Sequence, residues 1–217
     1  MTTPDFTFTV EGAEALAFAA SPQIAFKLRV VSDSPQPIHS IILRCQIQID
    51  AARRTYSAAE RARLTDLFGQ PAQWGETLRS MLWTSLTVVV PSFESSTVTD
   101  LPVPCTFDFN IGATKYFAAI DDGELPVSFY FNGSVFYAGD DAGLQVAQIS
   151  WEKEASYRMP AGVWRQMMDL YYPNSAWLCL RRDVFDLLCA YKVRHGIPTF
   201  EETLLQMLET KVEARTA

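Results

Sequence analysis

The side chains in this chain best suited to catalysis or metal binding are its two histidines, four cysteines and two acidic clusters. His39 and Cys45 fall together in "IHSIILRCQIQID", residues 38–50. Read by twos, His39, Ile41, Leu43, Cys45, Ile47 and Ile49 share one face of an extended segment, and Arg44, Gln46 and Gln48 share the other. Cys45 therefore reads as a small apolar residue in a buried row. His39 stands at the strand end beside Pro37, roughly 20 Å from Cys45 at about 3.3 Å per residue, too far to share a metal ion. His195, in "KVRHGIP", sits where a helix ends and a cationic ring is favoured by the dipole. Cys179 and Cys189 are ten apart and Cys45 and Cys105 sixty apart, without C-x-x-C spacing or a nearby histidine pair, so neither a zinc nor an iron–sulfur site is expected.

Nucleophilic catalysis fares no better, because a cysteine or serine needs a base that can approach it and no G-x-S-x-G elbow is present. The clusters "DDGE" (Asp121–Glu124) and "GDDAG" (Asp140, Asp141) lack the spacing of a calcium loop and read as turns. Neither G-x-G-x-x-G nor G-x-x-x-x-G-K occurs to cradle a phosphate. No catalytic residue, metal ligand or cofactor site is assigned. Interaction candidates are clearer: the basic pairs Arg53–Arg54 and Arg181–Arg182, which suit carboxylates on a partner, and Met167, Met168 and Tyr171 near Trp164, an adaptable apolar stripe that also fits a core.

The elements that must position these residues are strands first and helices later. "DFTFTV" and "QIAFKLRVV" alternate, and the turn-rich "SDSPQP" leads into the strand of residues 38–50. "SAAE" at Ser57–Glu60 forms a capping box, opening a helical insertion near residues 57–80 that Gly69 and Pro71 divide. "LWTSLTVVVP" returns to strand. "STVTDLPVPCTFDFNI" is extended, and Pro102 and Pro104 confine it to a sheet edge or a crossover. "ATKYFAAI" suits a short helix. "VSFYFNGSVFYAG" is either a hairpin turning at Asn132-Gly133 or one long strand with a bulge, and "LQVAQISW" is a further strand. Pro160 opens a helix; Asp183 is placed to cap another, and Thr199 with Glu202 a third.

The predicted fold class is α+β: a mainly antiparallel, sandwich-like β-rich body over residues 1–159 and a helical segment over 160–217 packed on it. A single sheet backed by helices is the competing arrangement.

The composition supports an ordinary globular chain: 217 residues, 48% hydrophobic and 20% charged. A net charge of −7 and a pI near 4.9 disfavour nucleic acid and anionic membrane surfaces. No stretch approaches the ~18 apolar residues of a membrane span, and the first residues lack the pattern of a signal peptide. Cysteine usage fits a reducing, cytoplasmic setting.

Several phrases occur together: "LRCQIQI" with "RRTYS", "DLFGQPAQWGETLR", "DLPVPCTFDF", "DDGELP", "ISWEKEASYRMP" and "WLCLRRD". As a set they resemble an uncharacterised bacterial, largely actinobacterial, domain-of-unknown-function family often encoded near nickel–iron hydrogenase genes. None is a catalytic signature, so the resemblance carries no functional residue over. It implies a non-catalytic accessory, assembly or protein-interaction protein, with a hydrogenase component as the implied partner and self-association open. The alternative is a small-molecule-binding protein or enzyme whose site lies between the β-rich body and the C-terminal helices.

Overall fold

The computed structural model describes residues 3–139 and 143–216; Asp140 and Asp141 lie outside them, as do the side chains beyond residue 209. The chain divides into two compact units, Met1–Ser175 and Ala176–Ala217.

The first unit is built on seven strands: β1 (Phe6–Ala15), β2 (Gln23–Ser32), β3 (Ile38–Ile49), β4 (Met81–Val90), β5 (Ser96–Pro104), β6 (Glu124–Ala138) and β7 (Leu144–Pro160). They form two antiparallel sheets, ordered β1-β2-β5 and β4-β3-β6-β7. The chain is therefore α+β with a sandwich-like body rather than a single helix-backed sheet. The period-2 pattern does what it dictates: Ile24, Phe26, Leu28 and Val30 of β2, and Ile41, Leu43, Cys45, Ile47 and Ile49 of β3, are all buried. Aromatic rings join the two layers. Phe8 stacks on Phe131 with centroids 4.5 Å apart, and Phe26 meets Phe129 edge-on at 5.0 Å.

β5 lies at the edge of its sheet, so the side on which Pro102 and Pro104 lack an N–H can face away from β2. Asn132-Gly133 is not a hairpin turn, because β6 runs straight through it as one strand. The irregularity lies opposite, where residues 150–152 of β7 face Asn132 alone. Gly133 is obligatory there: at φ +153° its added Cβ would sit 2.1 Å from the Ile42 carbonyl oxygen. His39 departs from its expected row. The register slips between Ile38 and Ser40, which buries Ile38 and turns His39 to solvent.

The helical insertion comprises α1 (Ala58–Phe68) and α2 (Trp74–Thr77), and α3 (Ile111–Ala118) links β5 to β6. Ser57 and Glu60 close the capping box: Ser57 Oγ accepts the Glu60 N–H at 3.1 Å, and Glu60 Oε2 accepts the Ser57 N–H at 2.8 Å. Helix α4 (Ala161–Tyr171) starts directly after β7 and belongs to the first unit. Its Trp164 and Met167 are buried, and Trp164 lies 4.5 Å from the Phe117 ring.

The second unit holds α5 (Arg182–Arg194) and α6 (Phe200–Thr216). Arg181, not Asp183, is the N-cap of α5; Asp183 stands in the first turn, where its charge suits the helix dipole. At α6 the Thr199 hydroxyl accepts the Glu202 N–H at 3.1 Å, as the capping pattern requires. Phe185 and Phe200 bring the two helices together, centroids 5.6 Å apart. Among the described residues, no helix is long and apolar enough to cross a membrane.

Candidate interaction surfaces

The residues singled out for chemistry divide between the two units. His39 is exposed in the first unit, while His195 caps α5 in the second with its ring 4.2 Å from Tyr191. Cys45 and Cys105 are buried, and burial pushes both thiols up to about 12. Cys179 is exposed and Cys189 half-buried. Among the described residues, no group of three His, Cys, Asp or Glu side chains could hold a metal ion. The acids of the "DDGE" turn are held internally. Asp121 pairs with Arg63 at 2.6 Å, Asp122 with Arg165 at 3.5 Å and Glu124 with Arg158 at 3.9 Å, around Gly123 at φ +85°.

The basic pairs also divide. Arg53 is exposed, its guanidinium 3.7 Å from the Asp50 carboxylate. Arg54 turns inward: its Nη2 donates to Glu60 Oε1 at 2.9 Å and to the Asp122 carbonyl at 2.5 Å. Glu60 also accepts the Asp121 N–H at 3.2 Å, tying α1 to the turn before β6. Burial works against the Glu60 carboxylate, but the Ser57 and Asp121 N–H groups and the Arg54 guanidinium outweigh it and hold its pKa below the ordinary value. Tyr56 closes the cluster. Its hydroxyl donates to the Ala51 carbonyl at 2.6 Å, so the Tyr116 hydroxyl, 2.9 Å away, donates to Tyr56. Arg54 Nη2, Tyr56 and Tyr116 are engaged internally while Arg54 Nη1 is buried without a hydrogen-bond partner, and the arrangement locks α1, α3 and the β6 turn together. Arg181 pairs with Asp183 at 2.7 Å, and Arg182 is exposed.

The apolar stripe of α4 splits by depth. Met167 is core, Met168 is half-buried, and Tyr171 reaches the β1–β2 loop. The Tyr171 hydroxyl accepts the Ala19 N–H at 2.9 Å and donates to the Leu16 carbonyl at 2.8 Å. Between those two anchors stands Phe18, fully exposed and at φ +62°. A bulky residue in the left-handed region costs about 1–2 kcal/mol, and a fully exposed ring recovers none of it by packing. The loop around it, "ALAFAAS" over residues 15–21, carries no charge. Beside it lies a shallow groove of about 610 Å³, lined by Ala15, Ala17, Gly162, Arg165, Gln166, Asp169 and Leu170. Sequence reading passed over Phe18: nothing in "LAFAAS" shows that its backbone is strained or that Tyr171 braces it.

A second exposed apolar surface lies within the second unit. An open groove of about 560 Å³ is lined chiefly by Leu178, Val184, Leu187, Leu188, Leu204 and Met207, with Arg194 at its margin.

Among solved structures, a protein assigned to the late embryogenesis abundant (LEA) group is 14% identical, with 74% of this chain and 73% of that chain covered and a TM-score of 0.33. The CARDB domain of a Pyrococcus furiosus protein, solved with two metal ions, is 11% identical, covering 72% of this chain and 92% of that one at a TM-score of 0.29. At such scores neither likeness bears on fold or activity. No curated protein matches. A family model matches residues 3–216, nearly the whole length, and the chain therefore belongs to that family of unknown function, DUF6084.

Proposed function

We propose that this chain is a non-catalytic accessory protein that docks on another protein through the β1–β2 loop. The observation carrying this reading is Phe18, held in a strained backbone and aimed at solvent by hydrogen bonds from α4. Strain retained at an exposed position with no packing return points to function. A pre-positioned aromatic ring loses little freedom on binding, and aromatic anchors dominate protein interfaces. The partner offers an apolar cavity for the ring, and the neighbouring groove beside Leu170 takes the surrounding contact. A lipid surface suits the loop less well, because residues 15–21 contain no Lys or Arg to meet headgroups and the chain carries a charge of −7. The resemblance to a family encoded near nickel–iron hydrogenase genes makes a hydrogenase component the partner of choice. A cytoplasmic setting, read from the few free cysteines, is part of the same proposal.

Affinity capture of the full-length chain from its own organism at moderate salt tests this. The wild-type chain retains a partner that Phe18→Ser loses, while substitutions of His39, His195 and each cysteine leave capture intact. Equal capture by wild type and Phe18→Ser would overturn the reading.

A further inference from the structure

Residues 176–217 cannot bury themselves. Of this 42-residue unit, only Ile197 and Thr203 are buried among the residues whose side chains are described. Leu178, Leu187, Leu205 and Leu208 are exposed by 57–71%, and Val184, Phe185, Val193, Leu204 and Met207 are exposed as well. Chains near ~40 residues rarely sustain a fold without a metal, a disulfide or oligomerisation. Here Cys179 and Cys189 are free thiols, and no metal-ligating cluster exists among the described residues. Such a concentration of exposed apolar side chains on one small unit is the kind of surface that an interface of ~800 Å² per side covers.

Charge identifies what covers them. Residues 181–194, spanning α5 and its cap, hold Arg181, Arg182, Lys192 and Arg194 against Asp183 and Asp186. Helix α6 holds Glu201, Glu202, Glu209 and Glu213 against Lys211 and Arg215. One helix is net positive and its neighbour net negative, so the unit complements a copy of itself. Across residues 176–217 six basic residues balance six acidic ones, which leaves the whole −7 on residues 1–175. Self-association through the second unit thus meets no net repulsion between the contacting surfaces, whereas contact between the acidic bodies does.

We propose that two copies of this chain dimerise through residues 176–217, with α6 of each copy laid against α5 of the other. The apolar seam runs along Val184, Leu187, Leu204 and Met207, with α5 guanidinium and ammonium groups facing α6 carboxylates across it. Such a four-helix arrangement is two-fold symmetric, each helix pair supplying the surface the other lacks. This surface is separate from the Phe18 loop, and a dimer would present two such loops.

The test is the solution mass of the full-length protein by light scattering and sedimentation over a wide concentration range. The expected result is a dimer, twice the 24.4 kDa chain. Leu187→Glu with Leu204→Glu gives a monomer with unchanged near-ultraviolet dichroism from the sandwich. Reversing the charge of α5 with Arg182→Glu and Lys192→Glu weakens dimerisation tenfold or more. Adding Glu201→Lys and Glu209→Lys to that variant restores it, a rescue that a merely structural role for these residues would not give. A wild-type monomer at every concentration, or a dimer that survives the paired leucine substitutions, would overturn the proposal. Because the readout is mass, it fails or succeeds independently of partner capture through Phe18.

Discussion

The hydroxyl of Tyr171 holds the N–H of Ala19 at 2.9 Å, although 152 residues separate them in the chain. The last turn of α4 thereby sets the shape of a loop formed near the start. The helix can do this because Trp164 and Met167 anchor it in the sandwich core. Removing the hydroxyl with Tyr171→Phe should lower stability by only about 1 kcal/mol, the usual net worth of such bonds. It should also speed amide exchange at residues 16–20 and weaken partner capture more than that loss of stability explains. Hydrogen exchange with mass spectrometry, alongside denaturation, separates the two effects.

Phe18 should show stability and function moving in opposite directions. Phe18→Gly removes the left-handed penalty but adds freedom to the unfolded chain, so stability should hold or rise by up to ~1 kcal/mol. Partner binding should be lost. A large fall in melting temperature would mean that the ring packs in the native state.

Glu60 gives the fold an acid-side dependence. Its carboxyl is held below the ordinary value of 4.5, so its contribution is fully present above that value and is lost as pH falls through the folded pKa. Glu60→Gln leaves Arg54 without its charge partner and should cost about 3 kcal/mol near pH 7. The difference from wild type should shrink below pH ~4.5, as the wild-type carboxyl takes up its proton. Urea denaturation of both proteins across pH 3–7, midpoints on the order of those typical for small domains, measures it.

Gly133→Ala should be among the most damaging single methyl additions in the chain. The new Cβ meets backbone, the Ile42 carbonyl oxygen at 2.1 Å, and cannot be relieved by a side-chain rotation. Parting β3 from β6 at the middle of the four-stranded sheet should cost 3 kcal/mol or more, by the scale of overpacking and strain in cores. Chemical denaturation is sufficient to see it.

Thiol labelling reports on burial directly. Cys179, exposed, should react with iodoacetamide at pH 8 within minutes, and Cys189 more slowly. Cys45 and Cys105, raised to about 12 by burial, should stay unlabelled until denaturant is added. Peptide mapping distinguishes the four.

Strands β2 and β3 were legible because each alternates apolar and polar residues, and period-2 alternation writes the buried face residue by residue. The capping box at Ser57 and Glu60 and the edge position of Pro102 and Pro104 were legible for the same local reason. What escaped was non-local. The bulge that turns His39 outward depends on register against β6, and Gly133 reads equally as a turn glycine or a bulge glycine until its contact with Ile42 is seen. Met167 and Met168 look alike in a helical stripe, yet one is core and the other half-buried, because only the docking angle of α4 separates them. Arg53 and Arg54 part in the same way: the preference of Arg54 for the interior comes from Glu60 and the Asp122 carbonyl, brought together by folding. Phe18 carried no signal, since backbone strain is not written in residue type for any residue but glycine.

Photo-crosslinking from position 18 tests the central claim most directly. A photoreactive phenylalanine analogue replaces Phe18 in one protein and exposed Val89 of β4 in a control, and both are irradiated in extracts of the source organism. The account predicts one discrete adduct from position 18, absent from position 89 and competed away by unlabelled wild-type protein. No adduct from position 18, or the same adducts from both positions, would contradict it.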